Sequence, residues 1–401
     1  MGAAGQDYET ISKRIGRTTG GIGLSPTAGR RVHADHPRGE RYEYLTVDLS
    51  ALGRNLDASL DLLADLLTAP DPSDAKRMTD LLQQMTARKR ASVLPSGHRL
   101  ALTRAAASLH PVHWRGELWR GVTQYRTLKR TAAAFEADPA SRSSLAERIR
   151  SLQAKLFTQS RLELDLSGEA ELLDAWTPAL TRLVERLPIG EPVAPRLGVV
   201  PTDLTPDAGI SMTAQVNYVA QVLPVVGLTD PAAPALQLLT AIADSSYLHQ
   251  KIRVQGGAYG GFSRYLRDAG LFAMISYRDP NLEQTLGVYE RLVDFVREGL
   301  DDAAVDDVRI GEIGGYDAPS TASELIGIGR VRSWAGVSEA DRQRFFDGLK
   351  TITANDLREQ AVPILEAAFQ RTNPRAAIGS PAALQAANNV LAAPLPIEPL
   401  E

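Results

Sequence analysis

Apolar positions along this chain recur mostly three and four residues apart, the repeat of an amphipathic helix. That spacing predicts helices over 7–15, 52–67, 74–92, 98–109, 114–135, 144–156 and 169–187. The stripe of Leu52, Leu56, Leu60, Leu63, Leu66 and Leu67 is typical, with Asp48 or Ser50 available as its cap. Alternating runs predict strands at 42–47 and 161–166, and Gly20-Gly21 leads into another. Pro188, Pro192, Pro195, Pro201 and Pro206 crowd residues 188–210, which therefore reads as a linker.

Beyond the prolines, 212–226 is strand-like, 234–248 helical and 271–277 a strand. Asp279-Pro280-Asn281 places a cap residue before a proline, predicting a helix that runs to about residue 298. Residues 301–307 are acidic and loop-like. Helices follow over 319–334, 339–348 and 354–369, and the tail after Pro394 is expected to be loose.

At 401 residues the chain exceeds the usual size of one core, which predicts two domains, 1–190 and 191–401. The two halves share an order of elements. Gly20-Gly21 and Gly256-Gly257 each precede a strand, a second strand and a capped helix, and Leu52/Leu56/Leu63/Leu66 match Leu282/Leu286/Val293/Val296. Gly256 is preceded by room for a long strand and a helix, whereas few residues precede Gly20. The first domain is therefore expected to be truncated upstream of Met1.

Composition narrows the function classes. Hydrophobic content of 44% with 23% charged residues is that of a globular protein. A net charge of −4 gives no electrostatic footprint for nucleic acid. Cysteine is absent, which excludes disulfides, thiolate metal sites and a cysteine nucleophile. No apolar run is long enough to cross a bilayer and no secretory signal opens the chain, so a cytoplasmic location is the expectation.

Candidate chemistry is sparse. The histidine pairs His33/His36 and His110/His113 have chelating spacing, but neither forms H-E-x-x-H or H-x-x-E-H. No zinc site is expected in this chain. Residues 256–261 lack the phosphate-loop order, because Lys251 precedes the glycines, and a strand rather than a helix follows them. Ser263 has no His partner in a nucleophile elbow. Arg115, Arg120, Arg126 and Arg130 interleave with Trp114, Trp119 and Tyr125 at helical spacing, as on a solvated helix face with a packed aromatic side. Arg253 and Tyr259 stand apart. Beside glycines that let a peptide backbone approach, Arg can hold a carbonyl or carboxylate and Tyr can donate to an oxyanion. A glycine-rich hairpin in which both residues are structural stays open as the alternative.

The segment KIRVQGGAYGGFSRY (251–265) resembles the R-x-x-G-G-x-Y-G stretch in the C-terminal half of pitrilysin-type (inverzincin) zinc metallopeptidases, closest to the presequence protease branch. GGIGLSP, SGHRLALTRAAASL, WRGELWRGVTQYR, QVNYVAQVLPV and IGEIGGYDAPSTASELIGIGR extend the resemblance over nearly the whole chain. It implies an α+β fold of two homologous domains, each a mainly antiparallel sheet covered by helices, with added helices in the first. It also implies a zinc-free half of an oligopeptide-degrading metalloendopeptidase. Zinc would lie on a partner half carrying H-x-x-E-H, so this chain would hold no cofactor and be inactive alone. Its partners would be that zinc-bearing half and unstructured peptides, with neither nucleic acid nor membrane involved. Tyr259 would stabilise the tetrahedral intermediate, Arg253 would hold the substrate backbone, and Gly256 and Gly257 would line its path. A non-catalytic peptide-binding or structural subunit of the same fold is the alternative, and a fragment without independent function a third.

Overall fold

A computed structural model of the chain describes residues 1–166, 169–191, 198–316, 318–371 and 373–401. The linker residues Pro192 and Pro195, and Asp317 of the resemblance motif, lie outside them. The first stretch runs β1 (Gly2–Ala3), α1 (Tyr8–Thr18), β2 (Gly21–Arg30), β3 (Arg41–Ser50), α2 (Leu56–Thr68) and β4 (Pro70–Asp71). Six helices follow: α3 (Ala75–Ser92), α4 (Gly97–Ala106), α5 (Pro111–Arg120), α6 (Val122–Ala137), α7 (Pro139–Leu156) and α8 (Ala170–Arg186). Local caps start several of them. The Asp7, Asp74 and Asp138 side chains accept from backbone N–H groups in the first turns of α1, α3 and α7.

The second stretch opens with β5 (Ala208–Ser211), β6 (Tyr218–Pro224) and α9 (Ala233–Ile242), which runs on as a π-type segment over Ala243–Gln255. A hairpin of β7 (Gly260–Leu266) and β8 (Leu271–Tyr277) comes next, then α10 (Glu283–Glu290), α11 (Leu292–Gly299), α12 (Asp302–Tyr316), α13 (Ala322–Ala335) and α14 (Glu339–Thr351). The chain closes with α15 (Ala354–Asp356), α16 (Val362–Phe369), β9 (Arg375–Gly379), α17 (Pro381–Asn388) and β10 (Ile397–Pro399). The order helix, hairpin, helix thus occurs at α1–β2–β3–α2 and again from the π-type segment to α10.

Six strands form one sheet in the order β10-β5-β9-β6-β8-β7. β7, β8, β6 and β9 pair antiparallel, while β9, β5 and β10 run parallel. Both faces are buried. Val219, Leu223, Phe272 and Met274 meet α9, the π-type segment and α16. Tyr218, Ala220, Val222, Ala273 and Ile275 meet Leu100, Ala101 and Ala105 of α4 and Tyr125 of α6. A strand buried on two faces reads as a continuous apolar run, which is what β6 and β8 show. The second helical layer therefore comes from the first stretch of chain. Its fit depends on Gly97, where an added Cβ would stand 2.4 Å from the Tyr218 ring.

Several predicted elements are corrected. Residues 161–166 form no strand. Among the described residues β2 and β3 pair only with each other, so the alternating run has no ladder to join, and its Glu163 and Asp165 face Arg38 and Arg330 instead. The end of the 188–210 linker is β5, buried between β9 and β10, and the long strand predicted over 212–226 shortens to β6. The acidic run 301–307 is mostly helix, because Asp301 acts as its cap, accepting from the Ala304 N–H at 2.9 Å, while Asp302 reaches across to the start of α15 and accepts from Ala354 N–H at 2.7 Å. Asp279 accepts from Asn281 N–H, yet α10 begins only at Glu283. The tail is not loose. Leu395 and Leu400 are buried, and Leu400 N–H donates to Ser211 O at 2.9 Å beside β10.

Candidate functional site

The π-type segment and the edge strand β7 meet at Gly256-Gly257, and this junction builds the site. Gly257 and Ala258 N–H groups donate back to Arg253 O and Ile252 O, both at 3.0 Å, so the chain reverses within three residues. Gly257 does this at φ +77°, in the left-handed region that other residues occupy at a cost. Asn281 Nδ2 donates to Gly256 O at 2.6 Å and pins the turn from the far side. Tyr259 N–H is then shared between Tyr277 O at 3.1 Å and Arg278 O at 3.3 Å.

These bonds bring the sequence-predicted pair together. The Arg253 guanidinium carbon lies 5.7 Å from the centre of the Tyr259 ring. That ring is 63% exposed, so its hydroxyl faces solvent rather than the core. Both residues line a cleft of about 430 Å³ with Asp244, His249 and Phe262. Gly256 lines a neighbouring cleft of about 450 Å³ with Lys251, Asn281 and Arg291. Gly257, the other predicted contact, lines neither of these clefts.

Most acids and phenols around the site are committed to structure. Burial raises the Asp244 carboxyl, and its oxygens accept from Ser263 N–H, from Ser263 Oγ at 2.7 Å and from Arg264 Nη1 at 3.4 Å. This bonding ties β7 to the π-type segment. Burial likewise raises Asp279, which accepts from Thr285 Oγ1 at 2.6 Å and from Asn281 N–H at 2.9 Å. Tyr247 is pushed by burial up to about 12 and donates to Val288 O. What remains available is a cation beside a phenol. Such a pair can bind a carbonyl or carboxylate and donate to developing negative charge.

Tyr277, Arg278 and His98 were not singled out in the sequence. Tyr277 packs edge-on against Tyr259 with ring centres 5.6 Å apart, and His98, carried by α4, packs against Tyr277 at 4.8 Å. The partnership of His98 with a strand so distant in sequence leaves no local signal.

The described residues do not fit a zinc ion. Among the described residues no three His, Asp or Glu side chains gather closely enough to hold a metal. His33 Nε2 lies 2.9 Å from Asp341 Oδ2, and His36 Nδ1 accepts from Arg38 N–H. His110 Nδ1 accepts from Val112 N–H at the start of α5. Its neighbour His113 is pushed by burial down to about 4 and has a buried Nε2.

Comparison with known proteins fits this architecture. Residues 1–130 match the family described as Peptidase M16 (subfamily C) associated, and residues 208–377 match the PreP C-terminal domain. The chain belongs to the pitrilysin-type peptidases, in the presequence protease branch. Mitochondrial presequence protease of Danio rerio is 27% identical over 392 residues, covering 90% of this chain and 36% of that protein. Chloroplastic/mitochondrial presequence protease 1 of Arabidopsis thaliana is 26% identical over 396 residues, covering 97% and 35%. This chain therefore spans just over a third of the length of these relatives. The peptidase M16 inactive domain of Pseudomonas fluorescens superposes with a TM-score of 0.59 at 14% identity, covering 94% of this chain and 85% of that one, and shows the α+β fold alone.

Proposed function

We propose that this presequence protease relative is the zinc-free, peptide-holding half of an oligopeptide-degrading metalloendopeptidase. The observation that carries the reading is the exposed Arg253–Tyr259 pair, held by a glycine turn beside an open cleft. Arg253 holds a carbonyl or carboxylate of an extended peptide. The Tyr259 hydroxyl donates to the oxygen on which charge develops as the scissile carbonyl becomes tetrahedral. Zinc bound on the partner half supplies the activated water. The recurrence of helix, hairpin and helix supports reading 1–190 and 191–401 as related units.

The purified chain alone is expected to show no chelator-sensitive peptide cleavage. Adding a zinc-bearing half from the same source is expected to restore it. Tyr259→Phe in the reconstituted enzyme should lower kcat by about 10²-fold or more, as loss of one oxyanion donor does. Robust chelator-sensitive cleavage by the isolated chain would refute the division of labour. Peptide binding without any gain on adding the zinc half would favour a non-catalytic peptide-binding subunit.

A further inference from the structure

We propose that Arg278 is a second substrate-binding guanidinium of this site, selecting peptides that present a carboxylate beside the Tyr259 contact. The inference rests on the peptide-holding reading and adds to it a residue and a ligand chemistry. Arg278 has φ +50°, and the other non-glycine residue with positive φ among the described residues is Ala4. The turn itself has a backbone use. It lets Arg278 O share the Tyr259 N–H, and it sends the chain on to Asp279, whose N–H donates to Asn217 O at 2.9 Å. Glycine or asparagine would make that turn at lower cost, so the backbone does not account for an arginine here. Strained positions of this kind concentrate at ligand-contacting sites.

The side chain supplies the missing account. Its guanidinium carbon lies 5.4 Å from the centre of the Tyr277 ring. Tyr277 packs against Tyr259, and Tyr259 against Arg253, so Arg253, Tyr259, Tyr277 and Arg278 form one contiguous row. Tyr218 and His98 hold Tyr277 from beneath, with ring centres 5.7 and 4.8 Å away. The row is anchored to the core while a cation stands at each end. Both arginines are exposed, and neither forms an ion pair among the described residues. The nearby acids cannot serve, because Asp244 is committed to Ser263 and Asp279 to Thr285 and Asn281. Both guanidiniums are therefore free to take a counter-charge from a ligand. A planar guanidinium matches a carboxylate through two parallel N–H bonds, which a carboxamide offers only in part. That carboxylate comes from an acidic side chain or from the free C-terminus of the peptide.

Three fluorescent peptides of one sequence distinguish the sources. One carries Asp with an amidated end, one Asn with an amidated end, and one Asn with a free end. Anisotropy titrations use the full chain as wild type, Arg278→Gln, Arg278→Gly and Arg253→Gln. The wild type is expected to bind one carboxylate peptide about tenfold tighter than the neutral one. Both Arg278 variants should lose that preference, and Arg278→Gly, which relieves the left-handed turn, should do so without a lower unfolding midpoint. Arg253→Gln should weaken all three peptides and keep the preference. A preference absent in the wild type, or surviving in both Arg278 variants while Arg253→Gln weakens binding, overturns the assignment of Arg278 alone. Failure of the wild type to bind any of the three peptides overturns this inference and the peptide-holding reading together.

Discussion

Replacing the two glycines of the turn one at a time separates a conformational demand from a steric one. Gly257 sits at φ +77°, and an added Cβ there would meet nothing closer than Pro280 Cγ at 3.7 Å. Its cost to alanine is therefore purely conformational, about 1–2 kcal/mol for a left-handed residue. Alanine also stiffens the unfolded chain, which offsets roughly 0.4–1 kcal/mol. The net loss expected for Gly257→Ala is about 1 kcal/mol, and Gly257→Asn should lose only a few tenths because asparagine tolerates this region. Gly256 has an ordinary φ of −83°, but its Cβ would stand 2.6 Å from Ile252 O and 3.0 Å from Lys251 O. Those are backbone atoms that cannot swing away, and Ile252 O already accepts from Ala258 N–H. Gly256→Ala should therefore cost more, about 1–3 kcal/mol as overpacking does, and shift Tyr259 relative to Arg253. Urea unfolding followed by circular dichroism gives the order, and peptide affinity reports on the site. Gly257→Ala as stable as wild type, with Gly257→Asn no better than Gly257→Ala, would refute a left-handed residue at this turn.

Leu400→Ala should destabilise the chain by about 2–5 kcal/mol, as for other fully buried leucines, whereas neutralising Glu398, half of a partly exposed pair with Arg126, should cost under about 1 kcal/mol; urea midpoints compare the two. Asp341 gives a pH signature. Burial raises its carboxyl, but hydrogen bonds from the Ser338 side chain, from His33 and from Ser338 N–H outweigh that and hold it well below the usual carboxylate range. A depressed folded-state value means that its stabilisation is complete above the unfolded value of about 3.9 and fades as pH falls from there toward the folded value. Asp341→Asn should therefore be less stable than wild type by about 1 kcal/mol near pH 7, with the difference shrinking in acid. A difference constant from pH 7 to pH 3 would count against the carboxylate as its source.

The helices and β8 were legible because their signals are local. The caps Asp7 and Asp74, the i, i+4 stripe of α2 and the apolar run of β8 need only neighbours in sequence. The same holds for the candidate site, since the six-residue spacing from Arg253 to Tyr259 and the two glycines between them are contiguous. The errors share one cause. Leu52 continued a helical stripe in the sequence, yet it lies before the helix and is 59% exposed, while Leu62, off that stripe, is fully buried against Ile11. β5 and β10 hide in proline-rich segments because their short stretches become strands only beside β9 and each other.

By itself the sequence determined the family, most helices and the two residues that face the cleft, because periodicity, capping and a contiguous motif are properties of neighbours. Only the tertiary structure decided that α4 closes the second face of the sheet and that His98 reaches Tyr277. It alone decided that the last residues form an edge strand and that Arg278 turns left-handed beside Tyr259. Each of these depends on which surfaces remain to be covered once distant segments have packed, and no local pattern carries that information.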